Sequence, residues 1–263
     1  MPLHDTRLLA LVRHGAFGKV YKASCKGALV AVSVVQRVGY RVAESRLLHV
    51  AALGHKNILQ TMQIASMGLI TAETPMQGER TQDHHKRAYE VWTMHEWCEL
   101  GTLEQKILRG DLTDCSQHSE SSEVGFEIAS ALSHLHSQNI IHGDLSSRNV
   151  LVKADACKKG YTVKVSGFGC ARILRPSTTS IGLAQLSSDM LGTVSFMPPE
   201  LLLRTPELTK AVDVYSFGVI LWQICTRQKP FEGCLPIHIA VSVAKGERLD
   251  LGVAPLRQLA LTV

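Results

Sequence analysis

The hydrophobic pattern changes period near residue 100, and that change limits the chain to a small set of folds. Before it, apolar runs are short, β-branched and punctuated by glycine: Leu8 to Val12, then Gly15 and Gly18, then Val20-Tyr21, then Leu29 to Val35. Such runs read as an antiparallel meander over residues 7 to about 36. A helix is expected over residues 40–53, where Val42, Leu47, Leu48, Val50 and Leu53 recur roughly at helical spacing. His55 to Leu59 is expected to open another strand, residues 71–87 to form a polar surface loop, and Tyr89 to Met94 to form a further strand. Glu99-Leu100-Gly101 breaks the pattern like a hinge, and from Thr102 the chain reads as mainly helical. One helix is expected at Leu103 to Leu108. A longer one at Ser122 to Ser137 has Val124, Phe126, Ile128, Ala131, Leu132 and Leu135 on its expected buried side. Val212 to Thr226 is apolar nearly all round, as a central buried helix would be. The expected class is α+β in a single domain over residues 1–263: a small antiparallel β-rich lobe to about residue 98, then a larger helical lobe from about 99.

Composition narrows the function. An apolar fraction of 45% over 263 residues supports a packed core and excludes global disorder. The net charge of +5 is small and the Lys and Arg are scattered, so nucleic-acid binding is not expected. The seven cysteines contain no C-x-x-C pair and their number is odd, which reads as free thiols in a reducing compartment, neither a disulfide frame nor a zinc site. No apolar run approaches the roughly 18 residues needed to span a bilayer, and Met1-Pro2-Leu3-His4-Asp5 lacks a signal-peptide core. A soluble cytoplasmic protein with no membrane segment is the expectation.

The residues that carry chemistry lie in ordered motifs. Ile140-Ile141-His142-Gly143-Asp144-Leu145-Ser146-Ser147-Arg148-Asn149-Val150-Leu151 resembles H-R-D-L-x-x-x-N, the catalytic loop of eukaryotic protein kinases, with Gly143 in place of the Arg. Arg13-His14-Gly15-Ala16-Phe17-Gly18-Lys19-Val20 resembles G-x-G-x-x-G-x-V, where glycines let backbone N–H groups approach phosphate. Val30-Ala31-Val32-Ser33 stands at V-A-I-K, and Ser166-Gly167-Phe168-Gly169 stands at D-F-G. Gly192 to Glu200 resembles the A-P-E end of an activation segment, Asp213-Val214-Tyr215-Ser216-Phe217-Gly218-Val219 the start of the central helix, and Lys229-Pro230-Phe231 the segment after it. H-G-D-L-x-x-x-N also occurs in small-molecule phosphotransferases of the aminoglycoside and choline kinase type, but those lack the last segments. The resemblance is to the tyrosine-kinase-like group of protein kinases, in the style of plants and green algae, from residue 7 to about 250.

That resemblance implies roles residue by residue. Asp144 takes the catalytic-base position and Asn149 a magnesium-ligand position. Gly15, Gly18, Val20, Ala31, Leu151 and the hinge residues Glu96 and Cys98 take nucleotide positions. Ser33 stands where the phosphate-gripping Lys belongs, and Gly167 where the metal-binding Asp belongs, so that ligand is lost. Kinases "with no lysine" borrow one from the position of Gly18. Here Lys19 is turned to the other face by strand alternation, and Lys22, which shares the face of Val20, reads as solvated. The helix Glu that partners the Lys is Glu44 or absent, with Arg46 in its place. Asp213 is expected to bond the catalytic-loop backbone, and His134, His136 and His142 to be packed or hydrogen-bonded. Glu200 is expected to be unpaired, its usual Arg not being found, and the helical lobe to lack its last helices and expose apolar surface. Ser177, Thr178, Thr179, Ser180, Ser187 and Ser188 read as a polar loop that Arg172 or Arg175 would anchor poorly if phosphorylated.

The expected function is therefore a pseudokinase acting in signalling as a binding or regulatory module. It would bind ATP or another adenine nucleotide weakly, hold Mg²⁺ poorly if at all, and work through protein partners. The alternative is an active but weak protein Ser/Thr or dual-specificity kinase transferring the ATP γ-phosphate to protein hydroxyls. Ser146 and Ser147-Arg148-Asn149 leave the substrate class open.

Overall fold

In the computed structural model of the chain, the residues described are 3–15, 18–38, 51–68, 88–112, 120–156, 160–174, 194–203, 208–250 and 252. The expected helix over 40–53 lies almost wholly outside them, and so do the loop over 71–87, Glu44, Arg46, Arg175 and the six activation-segment hydroxyls. Contacts divide the chain into two compact units, residues 1–54 with 60–97, and residues 55–59 with 98–263. The class is α+β, as expected.

The first unit is a five-stranded antiparallel sheet in the order β1-β2-β3-β5-β4. Its strands are β1 (Thr6–Gly15), β2 (Gly18–Cys25), β3 (Ala28–Val38), β4 (Thr61–Gly68) and β5 (Ala88–Glu96). Strand alternation decides which face is core. Val30, Val32 and Val34 are buried with Leu3, Ala23 and Met94, and Leu8, Tyr21 and Trp92 pack against them. Ala31 and Ser33 therefore lie on the opposite face. The β1–β2 turn needs Gly18: its φ is +102°, and a Cβ there would collide with the Val34 carbonyl of β3.

The second unit holds α1 (Leu103–Leu108), α2 (Glu120–Ser137), β6 (Ile140–Ile141), β7 (Val150–Asp155), β8 (Gly160–Val165), β9 (Arg172–Ile173), α3 (Pro199–Leu202), α4 (Ala211–Thr226) and α5 (Pro236–Ala244). Thr102 caps α1 in a reciprocal box with Gln105. β7 and β8 form a hairpin, and β6 pairs with β9. The expected strand at His55 to Leu59 is shorter than the pattern implied: Ile58 makes a single bridge to Val165, and β4 begins only at Thr61. Asn57 anchors this crossing by donating from Nδ2 to the Val163 carbonyl at 3.0 Å.

Two expectations about helix faces need correction. Phe126 is 70% exposed, because Val124, Ile128, Ala131, Leu132 and Leu135 mark one side of α2 and a residue two places after Val124 points the other way. In α4, Val214 is also exposed, so that helix is not buried all round. Glu200 is not partnerless as expected. It lies in electrostatic reach of Tyr215, whose phenol is pushed up chiefly by burial, with Arg248 opposing and Glu200 adding to the shift. No helix among the described residues is long and apolar enough to cross a membrane.

Candidate functional site

In the first unit, register places the nucleotide candidates on one sheet face. Val20 pairs with Ser33 and Lys22 with Ala31 across β2–β3, while Ser33 pairs with Thr93 and Ala31 with His95 across β3–β5. Directly paired residues share a face, so Val20, Lys22, Ala31, Ser33, Thr93 and His95 form one patch opposite the core. A lysine at position 33 would sit in its middle, and Ser33 leaves that position uncharged. The two basic side chains present do not replace it. Lys22 is half-exposed, with Nζ 5.2 Å from the centroid of the Trp97 ring, so its charge is shared between solvent and that ring. His95 was not singled out by sequence reasoning. Its Nε2 meets Thr93 Oγ1 at 2.9 Å and its Nδ1 meets Thr61 Oγ1 at 3.1 Å. Burial lowers its pKa to about 4, with Glu96 opposing weakly, so the ring is neutral at pH 7. Counting register from Ala31 would have found it. Lys19 is exposed and one residue out of phase, as alternation required. Glu96 closes β5, accepting at Oε1 from the Gln60 N–H at 3.0 Å. Gly15 has open space around it.

In the second unit, the candidate loop is tied to α4. Asp213 accepts from the His142 N–H and the Gly143 N–H, each at 2.9 Å, and its Oδ2 is 2.8 Å from His136 Nε2. Burial would raise the Asp213 pKa. The His136 contact, the nearby His142 and the two backbone donors outweigh it and hold the carboxyl below its usual value. His142 is fully buried and spans the loop: Nε2 donates to the Ser166 carbonyl at 2.8 Å, and Nδ1 accepts from the Asp144 N–H at 3.2 Å. Its ring lies 5.0 Å from that of Phe168, which makes Phe168 a packing residue. His134 stacks on His55 at 5.0 Å. All three histidines are thus packed or hydrogen-bonded, as expected. Gly143 has φ +72° and would bring a Cβ to 3.1 Å from the Cys170 carbonyl, so an Arg there would be strained.

Asp144 and Asn149 are brought together. Asn149 Nδ2 donates to the Asp144 carbonyl at 2.7 Å and to Asp144 Oδ2 at 2.9 Å. Cys98 is buried and Leu151 is half-buried on β7. Gly167 follows β8 in the left-handed conformation, φ +86°. Arg172 donates Nη1 to the Cys170 and Ala171 carbonyls, within its own segment.

This loop, tethered through the His142 and Gly143 N–H groups to an aspartate on the long apolar helix, is the arrangement that the motif series implied. The description "Protein tyrosine and serine/threonine kinase" matches residues 6–255. The chain belongs to the protein kinase family. A probable LIM domain-containing serine/threonine-protein kinase of Dictyostelium discoideum is 30% identical over 238 residues, 90% of this chain and 32% of that protein. The serine/threonine-protein kinase CTR1 of Arabidopsis thaliana is 28% identical over 261 residues, 95% of this chain and 28% of that protein. The proto-oncogene serine/threonine-protein kinase mos of Rattus norvegicus is 33% identical over 245 residues, 86% of this chain and 63% of that protein. The chain thus spans about a third of the length of the first of these.

Protein kinases generally use ATP with Mg²⁺, and the residues of this kinase domain do not fit the metal. Mg²⁺ demands one or two carboxylates in near-octahedral geometry. Gly167 offers none, and the Asn149 amide fills the space beside it: a Cβ at position 167 would lie 2.6 Å from Asn149 Cγ. No group of three or more His, Cys, Asp or Glu among the described residues could hold a metal elsewhere.

Proposed function

We propose that this kinase domain is non-catalytic and acts in signalling as a binding or regulatory module, a pseudokinase. The observation that carries the reading is the uncharged position at Ser33, in the middle of this sheet face. Phosphoryl transfer works by positioning and by neutralising charge on the transferred group. On this patch the lysine is absent, Lys22 is engaged by Trp97 and His95 is neutral. Removing one preorganised electrostatic group costs on the order of 10²–10³ in rate. The absence of a side-chain carboxylate at Gly167 removes a second. Asp144 remains a base without an aligned phosphoryl group. Val20, Ala31 and Glu96 of the first unit can still offer adenine apolar contact and a hinge hydrogen bond, which need no metal. The ligand is accordingly a weakly bound adenine nucleotide, indifferent to Mg²⁺. Protein partners, a cytoplasmic setting and a single domain from 1 to 263 belong to the same proposal.

Phosphotransfer from γ-labelled ATP to a general protein acceptor tests the reading, with Asp144→Asn as control. No transfer above that control is expected. Robust transfer abolished in Asp144→Asn would establish the second reading, a weak protein Ser/Thr kinase, which the names of the relatives favour. Thermal-shift titration with ATP gives the ligand arm: a small shift, the same with and without MgCl₂, is expected.

A further inference from the structure

The sheet face that carries Ser33 extends onto β1, and there it bears an arginine. The pairing of β1 with β2 is interrupted: Leu11 lies opposite Tyr21 and Arg13 opposite Val20, so Val12 is an extra residue without a partner. A bulge of this kind re-aims the side chains beside it. Regular pairing onward from Leu11 would have set Val12 opposite Val20; the extra residue sets Arg13 there instead. Val20 in turn pairs with Ser33. Directly paired residues share a face, so Arg13, Val20 and Ser33 form a row across β1, β2 and β3. Neighbouring strands lie about 4.8 Å apart, which puts the backbone of Arg13 roughly 10 Å from that of Ser33.

The surroundings suit an anion. Arg13 is exposed. Gly15, two residues further on and paired with Gly18, would bring a Cβ within 4 Å of nothing, so the space beside it is open. Lys22 adds a second positive charge to the face. The carboxylates of β5, Glu90 and Glu96, pair with Gln36 and with the buried Val30, and so belong to the opposite face.

We propose that the Arg13 side chain is the phosphate contact of this domain, holding the polyphosphate of an adenine nucleotide where a lysine at position 33 is missing. This rests on the adenine-nucleotide reading above and names the residue that would give the phosphates a partner without a metal. A planar guanidinium matches phosphate oxygens bidentately and needs no Mg²⁺ to do so. It does not restore transfer, because a cation that binds the ground state does not by itself stabilise the transition state.

Equilibrium titration of ATP and of adenosine, in EDTA at low salt, reads the contact as the ratio of the two affinities. In the unaltered chain ATP is expected to bind about tenfold tighter than adenosine, with the ratio shrinking as salt rises. Arg13→Ala should bring the ratio close to one, and Arg13→Lys should keep part of it. Lys19→Ala removes the same unit of charge from the other face of β2 and should keep the parental ratio. Arg13 and Lys19 are both exposed, so neither replacement threatens the fold. A parental ratio in Arg13→Ala, or an equal loss in Lys19→Ala, overturns the proposal. So does tighter ATP binding in Arg13→Ala, which would make Arg13 an obstruction. Adenosine binding without any preference for ATP in the parent overturns the phosphate contact alone. Failure of both ligands to bind overturns the adenine-nucleotide reading and the contact with it.

Discussion

Ser33 and His95 share a sheet face, and each makes a separate measurable claim. Ser33→Lys places an ammonium between Val20 and Thr93, at a position that now carries no charge. A charge-assisted contact to phosphate should tighten ATP binding about tenfold. Phosphotransfer should stay absent, because Gly167 still lacks its carboxylate. Thermal-shift titration reads the first effect and the labelled-ATP assay the second; unchanged affinity would mean that the phosphates do not approach this face. His95 supplies a pH dependence. Its folded pKa of about 4 lies below the ordinary imidazole value of 6.5, so between those values the unfolded chain binds more protons than the folded one. Stability therefore falls as pH drops from 6.5 toward 4, by up to about 3 kcal/mol from this group. His55 adds to the same trend, because burial lowers its pKa too, helped by His134, Lys56 and Lys164. Urea melts of His95→Gln should show a flatter acid limb than the parent, and an unchanged limb would refute the buried neutral state. Neither claim is visible in the one-dimensional pattern. His95 looks like any polar residue of an alternating strand until register places it between two threonine hydroxyls.

The tether between α4 and the catalytic-loop backbone fixes that loop within the second unit. Asp213 is almost fully buried and satisfies two backbone donors and His136 together. Asp213→Ala leaves those donors without their acceptor and should cost about 3 kcal/mol or more in chemical denaturation. Asp213→Asn keeps one acceptor oxygen and should cost less. Equal losses would show that charge, not the paired acceptors, holds the loop. On α2, Ile128→Ala should cost about 2–4 kcal/mol, whereas Phe126→Ser should stay within about 0.5 kcal/mol. A large loss for Phe126→Ser would mean that this face is covered. The helix itself was legible from its spacing, and so was the tether, through the resemblance of Asp213-Val214-Tyr215 to the family motif. Phe126 was misplaced because hydrophobicity was counted without its angle around the helix.

For the chain as a whole, the α+β class and the family were legible before any coordinates, because both rest on local chemistry. β-branched runs between glycines make strands, 3.6-residue spacing makes helices, and the motif order is a property of the primary structure. The substitutions Ser33 and Gly167 were equally plain, since a missing lysine or carboxylate needs no geometry to be seen. What fills the space they leave was not. The contact of Lys22 with Trp97, the contacts of His95 with Thr61 and Thr93, and the Asn149 amide beside Gly167 each depend on sheet register or loop geometry. The preference between such contacts is set by which groups burial leaves to satisfy one another. Sequence by itself determined the fold family and the absent chemical groups. Only the tertiary structure decided which of the remaining polar groups meet one another, because hydrogen bonds and burial depend on distances that no local pattern encodes.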